Sequence, residues 1–333
     1  MAIQSIHIYN VMVFQRQFYL NFCNGINVLI GENGVGKTTI LKMIYAATQW
    51  SNEKTDPGKT KQLTDFFSNS LKDAAILKNA DRKEEDCYYK VSDGEHIFEN
   101  HLPHNVIYHL DNWLGLSIPS VFIPSMEMLS HSKGFLAMNQ KYRMPFDGTQ
   151  TDIIVNASLP ETREIPESCK VLLKEISNAI DGVVVQENDI FYVIKNDGTK
   201  IDFSLEAEGL RKLGLLWKLI RNGLLEKGTI LLWDEPEANL NPELYPLVVN
   251  VLLGLQKNGV QIFIATHSYN FAKYLEIRRA KKEQVMFHNL YKGQNKKDRK
   301  DAVNCTSAFK IEDLGENPMM SADDQLLDEV YNL

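Results

Sequence analysis

Between the apolar run Ile26-Asn27-Val28-Leu29-Ile30 and a helix-like run that begins at Lys37 lies Gly31-Glu32-Asn33-Gly34-Val35-Gly36-Lys37-Thr38-Thr39. The spacing is G-x-x-x-x-G-K-[ST] in a strand-then-helix setting. Glycines let the backbone turn so that its N–H groups face inward, and the helix N-terminus adds the positive end of its dipole. Such a cradle suits the polyphosphate of a nucleoside triphosphate. Lys37 is placed to reach the β- and γ-phosphates, and the Thr38 hydroxyl to ligate Mg2+.

The rest of the chain supports an α/β fold. Residues 3–9 and 15–22 alternate apolar and polar, the period of half-buried strands, and Asn24-Gly25 turns the chain into Ile26–Ile30. Ile40, Leu41, Ile44 and Ala47 mark one face of the helix that follows the glycines. Leu63 to Leu71 has the pattern of a short helix, and Tyr88–Val91 with His96–Phe98 that of a hairpin. Ser120–Ile123 reads as a strand ending at Pro124. A helical face runs through Leu172, Ile176, Ala179 and Ile180, and three strands follow at 183–185, 190–194 and 201–203. From residue 204, amphipathic helices alternate with the buried strands Thr229–Trp233 and Val260–Ala265, which indicates a parallel sheet. Gln284–Leu290 and Ala308–Ile311 read as further strands, with an acidic helix from Ser321.

Two of these strands end in reactive side chains. Ile230-Leu231-Leu232-Trp233 runs into Asp234-Glu235-Pro236, and ligands bind at the carboxyl ends of such strands. Asp234 is the candidate to hold Mg2+ with Thr38. Glu235 is the candidate to orient and deprotonate an attacking water. Ile262-Phe263-Ile264-Ala265 leads to Thr266-His267-Ser268, which puts His267 within reach of a γ-phosphate.

Taken together, G-x-x-G-x-G-K-T-T, Leu-Leu-Trp-Asp-Glu-Pro-Glu and Ala-Thr-His-Ser resemble the ABC-type ATPase head of the SMC, RecF and OLD-nuclease group, and most of all the compact "AAA family" ATPases of bacterial phage-defence systems. The resemblance implies an α/β head, with a mixed sheet built around the phosphate loop and helical and β insertions. It implies Asp234 and Glu235 as the Walker B pair, His267 as the switch histidine, and Glu237–Pro242 as the loop that meets an opposite subunit. Its signature loop corresponds to Ser204-Leu205-Glu206-Ala207-Glu208-Gly209-Leu210-Arg211-Lys212. Ala207 stands where a serine is commonest, while Gly209 and the helix N-terminus are kept. Ala207, Glu208, Gly209 and Arg211 are then expected to act in trans, with Lys212 an alternative to Arg211. For the glutamine of the Q-loop, Gln140 and Glu127 are the two candidates.

The resemblance also implies ATP and Mg2+ as ligands and a head-to-tail dimer or higher oligomer. It further implies a separate effector protein such as a nuclease or toxin, because too few residues follow His267 for a nuclease domain. The alternative is a DNA-handling ATPase of the RecF or SMC type. A net charge of −7 argues against the whole surface being a nucleic-acid footprint, although Arg278–Lys282 and Lys296–Lys300 are basic clusters and leave nucleic acid open. No apolar run approaches the about 18 residues that span a bilayer. Four dispersed cysteines and no secretory signal fit the cytoplasm. The expected organisation is a discontinuous ATPase core at 1–50 and 183–290, a hairpin-bearing insertion at 51–119, a partly helical insertion at 120–182, and a C-terminal extension at 291–333.

Overall fold

The computed structural model describes residues 1–333 except 53–59, 69–72, 82–84, 143, 281–283, 294–301, 316–320, 322–324, 326–327 and 332–333. In chain order the elements begin with β1 (Ser5–Tyr9), β2 (Gln17–Asn21), β3 (Ile26–Gly31), α1 (Lys37–Gln49), β4 (Cys87–Ser92), β5 (Ile97–Leu102), β6 (Val106–Tyr108), α2 (Leu110–Trp113) and β7 (Ser120–Ile123). Next come α3 (Phe135–Tyr142), α4 (Gly148–Ala157), α5 (Glu167–Ile180), β8 (Gly182–Glu187), β9 (Ile190–Lys195), β10 (Lys200–Asp202) and α6 (Glu208–Arg221). The last are β11 (Ile230–Asp234), α7 (Tyr245–Lys257), β12 (Gln261–Ala265), α8 (Tyr269–Arg278), β13 (Val285–Lys292) and β14 (Val303–Ala308).

The central sheet has the order β14-β13-β3-β12-β11-β7, parallel throughout except for β14. Its inner strands are buried on both faces, which is why β3, β11 and β12 read as largely apolar runs. Val28, Ile30, Leu231, Trp233, Ile262 and Ile264 join one apolar cluster with α5, α6 and α7. Leu29, Ile230, Leu232, Phe263 and Ala265 join the other, with α1. The two-residue period of a strand divides each run between these layers.

A second sheet, antiparallel in the order β2-β1-β4-β5-β6, covers the far side of α1. Its inward residues, Ile6, Ile8, Phe18, Leu20, Tyr89, Val91 and Phe98, pack toward that helix. The hairpin of block 51–119 is β4–β5, and β4 pairs with β1. Block 120–182 supplies β7, the outer strand beside β11. A small sheet, β10-β9-β8, leads into α6.

Several local expectations shift. The strand read at Ala308–Ile311 lies earlier, as β14, because Val303–Ala308 finds the free edge of β13, and Ile311–Leu314 coils into a 3-10 turn. The short helix begun at Leu63 is a 3-10 turn over Leu63–Phe66, with Leu71 outside the described residues. Lys281, Lys282 and Lys296–Lys300 also lie outside them, while Arg278 and Arg279 of the first basic cluster bond to Asn250 Oδ1 and the Val285 carbonyl of their own chain. No helix among the described residues is long and apolar enough to cross a membrane.

Candidate active site

Adjacent positions in the sheet bring the reactive residues together. β12 lies between β3 and β11, with Asp234 beside Ala265 and Ala265 beside Leu29. The loops after all three strands therefore open at one edge. Gly31–Thr39 follows β3, Glu235–Asn241 follows β11, and Thr266–Ser268 follows β12.

Gly36 precedes α1 at φ +92°, in the left-handed region, and an added Cβ would meet the Phe14 ring at 2.5 Å. Only glycine fits that bend. Lys37 opens α1 and is 5% exposed. Its ammonium donates to the carbonyls of Gly31 and Glu32, each at 2.8 Å, and so curls back over the loop that a phosphate would fill. Burial pulls its pKa down to about 8, against the opposing pull of Asp234 and Glu235. A polyphosphate in the loop would restore the charge's stability.

The Thr38 hydroxyl lies 2.9 and 3.0 Å from the two carboxylate oxygens of Asp234 and donates to them. Asp234 is 7% exposed, and burial pushes its pKa up to about 6. A hydroxyl and a desolvated carboxylate converging from two elements form a hard, oxygen-only donor pair. That chemistry suits Mg2+, which takes few protein oxygens and fills its other positions with water and phosphate. The pair fits the ion.

Glu235 and His267 are more open, with side chains 35% and 34% exposed. Lys37 Nζ lies 3.3 Å from His267 Nδ1, and an ammonium can only donate. Nδ1 therefore accepts, and the ring proton sits on Nε2, which faces Glu235 Oε1 at 3.3 Å. Burial, then the Lys37 charge, holds the imidazole pKa below its usual value, against the opposing pull of Glu235 and Glu237. Glu235 itself has φ +51°, uncommon for a residue with a side chain, and its N–H donates to the Ala265 carbonyl at 2.8 Å.

Glu237 has a positioning role that its sequence context did not reveal. Its Oε1 accepts from Thr266 Oγ1 at 2.6 Å and from the His267 N–H at 2.9 Å, which ties the histidine loop to the end of β11. The available signal was a second acid two residues beyond Glu235. Glu127, four residues past β7, is buried, and its carboxylate accepts from the Leu129 and Ser130 N–H groups. Gln140 lies on the exposed helix α3.

Ala207, Glu208 and Gly209 begin α6 against the loop after β11, where Glu208 accepts from Asn239 Nδ2 at 2.8 Å. Ala207 is exposed and caps the helix without a side-chain acceptor, and Leu205 before it is 79% exposed. Arg211 and Lys212 turn inward on their own chain. Arg211 approaches Glu127 at 3.4 Å, and Lys212 donates to the Glu235 carbonyl at 3.0 Å.

Residues 139–272 match the protein family described as "AAA domain, putative AbiEii toxin, Type IV TA system". Over 54 residues, 16% of this chain and 22% of the relative, the sequence is 41% identical to the arginine transport ATP-binding protein ArtP of Haemophilus influenzae. Over 132 residues, 34% of this chain and 44% of the relative, it is 29% identical to the L-cystine import ATP-binding protein TcyN of Bacillus subtilis. The matches thus span less than half the length of these curated relatives. Among solved structures, an SMC head bound to the C-winged helix domain of ScpA aligns with 95% of this chain and 100% of its own, at TM-score 0.58 and 11% identity. That likeness is one of fold.

Proposed function

The chain has the fold of an ABC-type ATPase head of the SMC-like group, and from that premise we propose that it binds ATP with Mg2+ and hydrolyses it at an interface between two copies of itself. The observation that carries this reading is the meeting of Lys37, Thr38, Asp234, Glu235 and His267 at one edge of the central sheet. Thr38 and Asp234 would hold Mg2+, which when bound neutralises phosphate charge. The backbone N–H groups of Gly31–Thr39 bind the β- and γ-phosphates, and Lys37 exchanges its two loop carbonyls for phosphate oxygens. Glu235 orients a water in line with the γ-phosphate and takes its proton as the new P–O bond forms and the bond to ADP breaks. Neutral His267 donates from Nε2 and keeps Glu235 or that water in place.

A second copy, related head to tail, would bring the exposed Ala207 end of its α6 to the γ-phosphate, where the N–H groups of a helix N-terminus favour an anion. The Ala207 side chain offers no hydroxyl, so the backbone and the helix dipole carry the contact. The proposed output is control of a separate effector, a nuclease or toxin, in bacterial defence against phage. The matched family's description, which names a toxin and a toxin–antitoxin system, supports that setting.

The test is phosphate release from ATP by the purified chain, followed by sizing of Glu235→Gln with ATP and Mg2+. The reading expects turnover by the native chain, and a Glu235→Gln variant that keeps ATP and elutes as a dimer. A native chain that binds ATP but never releases phosphate, alone or with its effector, would reduce it to a nucleotide-binding module.

A further inference from the structure

The start of α6 is tied to two segments around its own nucleotide site, the loop after β11 and the loop after β7. Glu208 Oε1 accepts from Asn239 Nδ2 at 2.8 Å. Gly209 lies so close to the loop after β11 that an added Cβ would come within 2.9 Å of the Asn239 carbonyl oxygen. Arg211 approaches Glu127, in the loop after β7, at 3.4 Å. Lys212 reaches furthest inward. It is 3% exposed, and its ammonium donates to the Glu235 carbonyl at 3.0 Å.

A lysine in such a place is costly. Burial removes its hydration and lowers its pKa, and the nearby carboxylates of Glu237, Glu208, Glu235 and Asp234 pull the other way. A buried leucine at this position would pack without that cost, so the cation needs a reason beyond packing. Glu235 supplies one. Its backbone sits at φ +51°, a conformation that costs a side-chain-bearing residue about 1–2 kcal/mol and persists only where neighbours hold it. The peptide before Glu235 is held by its own N–H on the Ala265 carbonyl, and the peptide after it by Lys212. With both ends fixed, the side chain points to His267 Nε2 at 3.3 Å.

We infer that Lys212 is a positioning residue for Glu235, and that it couples the exposed start of α6 to the hydrolytic carboxylate of the same chain. Ala207 and Lys212 lie little more than one helical turn apart on a rigid element, so a shift of the α6 N-terminus moves the ammonium against Glu235. A second copy that seats its nucleotide on Ala207–Gly209 thereby sets the geometry at the first copy's own site. Closure at one site thereby speeds hydrolysis at the other, while each complete site keeps a basal rate of its own. This rests on the reading of Glu235 as the base.

The test is a double-mutant cycle on turnover with Lys212→Met and Glu235→Gln, alongside ATP affinity and melting temperature. Lys212→Met should lower kcat on the order of 10²-fold, the cost of a misplaced reactive group, and leave ATP affinity and KM nearly unchanged. Lys212→Arg, which keeps a donor, should recover most of that loss. In the Glu235→Gln background Lys212→Met should cost nothing further, because nothing remains to be positioned. The same cycle with Lys212→Gln serves if methionine at 212 prevents folding. Native kcat in Lys212→Met, or a loss that adds fully to that of Glu235→Gln, overturns the inference. A Glu235→Gln variant with native turnover instead overturns the reading of the site on which it rests.

Discussion

Glu235 Oε1 and His267 Nε2 face each other at 3.3 Å across the ends of β11 and β12, and Lys37 Nζ approaches the other ring nitrogen at the same distance. Lysine, histidine and glutamate thus form a line across the mouth of the site. The carboxylate is its open end.

Replacing that carboxylate by an amide keeps the size and removes the base. Glu235→Gln should lower kcat by about 10²- to 10⁴-fold, the usual contribution of a positioned general base. Nucleotide affinity should change little, since Glu235 does not line the phosphate loop. Paired measurements of phosphate release and equilibrium ATP binding decide this. A parallel loss of both would assign Glu235 to binding.

Ala207→Asp should separate folding from function. Ala207 caps α6 with no side-chain acceptor, and an aspartate there can accept from the first-turn N–H groups and complement the helix dipole. The expected gain is about 0.5–2 kcal/mol of unfolding free energy, read by denaturant titration. The same carboxylate would face the partner's γ-phosphate, so hydrolysis should fall roughly 10-fold or more. A variant that is both more stable and fully active would remove Ala207 from the closing contact.

Acid should weaken the fold through His288. This side chain on β13 is fully buried between Ser307 Oγ, at 2.8 Å, and Asn27 Oδ1, at 3.3 Å, and burial lowers its pKa to about 3. The unfolded chain protonates it near the ordinary value of about 6.5. Between those values the unfolded state binds more protons, so the stability from neutral His288 is complete above about 6.5 and is lost as pH falls. The loss should approach 1.4 kcal/mol per pH unit, about the value of one proton. Urea unfolding between pH ~6.5 and ~5 should give a stability slope steeper by about this amount in the native chain than in His288→Asn, since the opposing contribution of Asp234 is common to both. Equal slopes would contradict the assignment.

The contrast between what was legible in the sequence and what was not follows chain distance. Asp234, Glu235 and His267 sit at or just past the ends of buried, largely apolar strands. Lys37 and Thr38 open the helix after the glycine loop that follows a third, so local pattern pointed to one sheet edge. The antiparallel layer was harder, because β1 finds its partner β4 more than 80 residues away, as in the pairing of Ser5 with Ser92. The strand at Val303–Ala308 was misplaced for a related reason. Its residues are only partly apolar, and an edge position on β13 selects them more than their own pattern does. Lys212 did leave a trace. It falls with Gly209, Leu213 and Leu216 on the buried face of α6, where a cation asks for a partner. Sequence could not say whether that partner was a phosphate of a second copy or the Glu235 carbonyl.

The most direct test of the shared site is a mixture of two chains, each strongly impaired by itself. Lys37→Ala removes the phosphate-loop ammonium but leaves α6 intact, and Ala207→Asp does the reverse. A mixed dimer then contains one complete site, formed by the phosphate loop of one chain and the α6 N-terminus of the other. Random pairing should restore turnover clearly above either variant alone and at most about a quarter of native. Half the dimers are mixed, each has one site of two, and that site runs without a nucleotide seated on its own chain's α6. If the mixture stays as inactive as its parts while mixed dimers form, each chain completes its own site and the head-to-tail account is wrong.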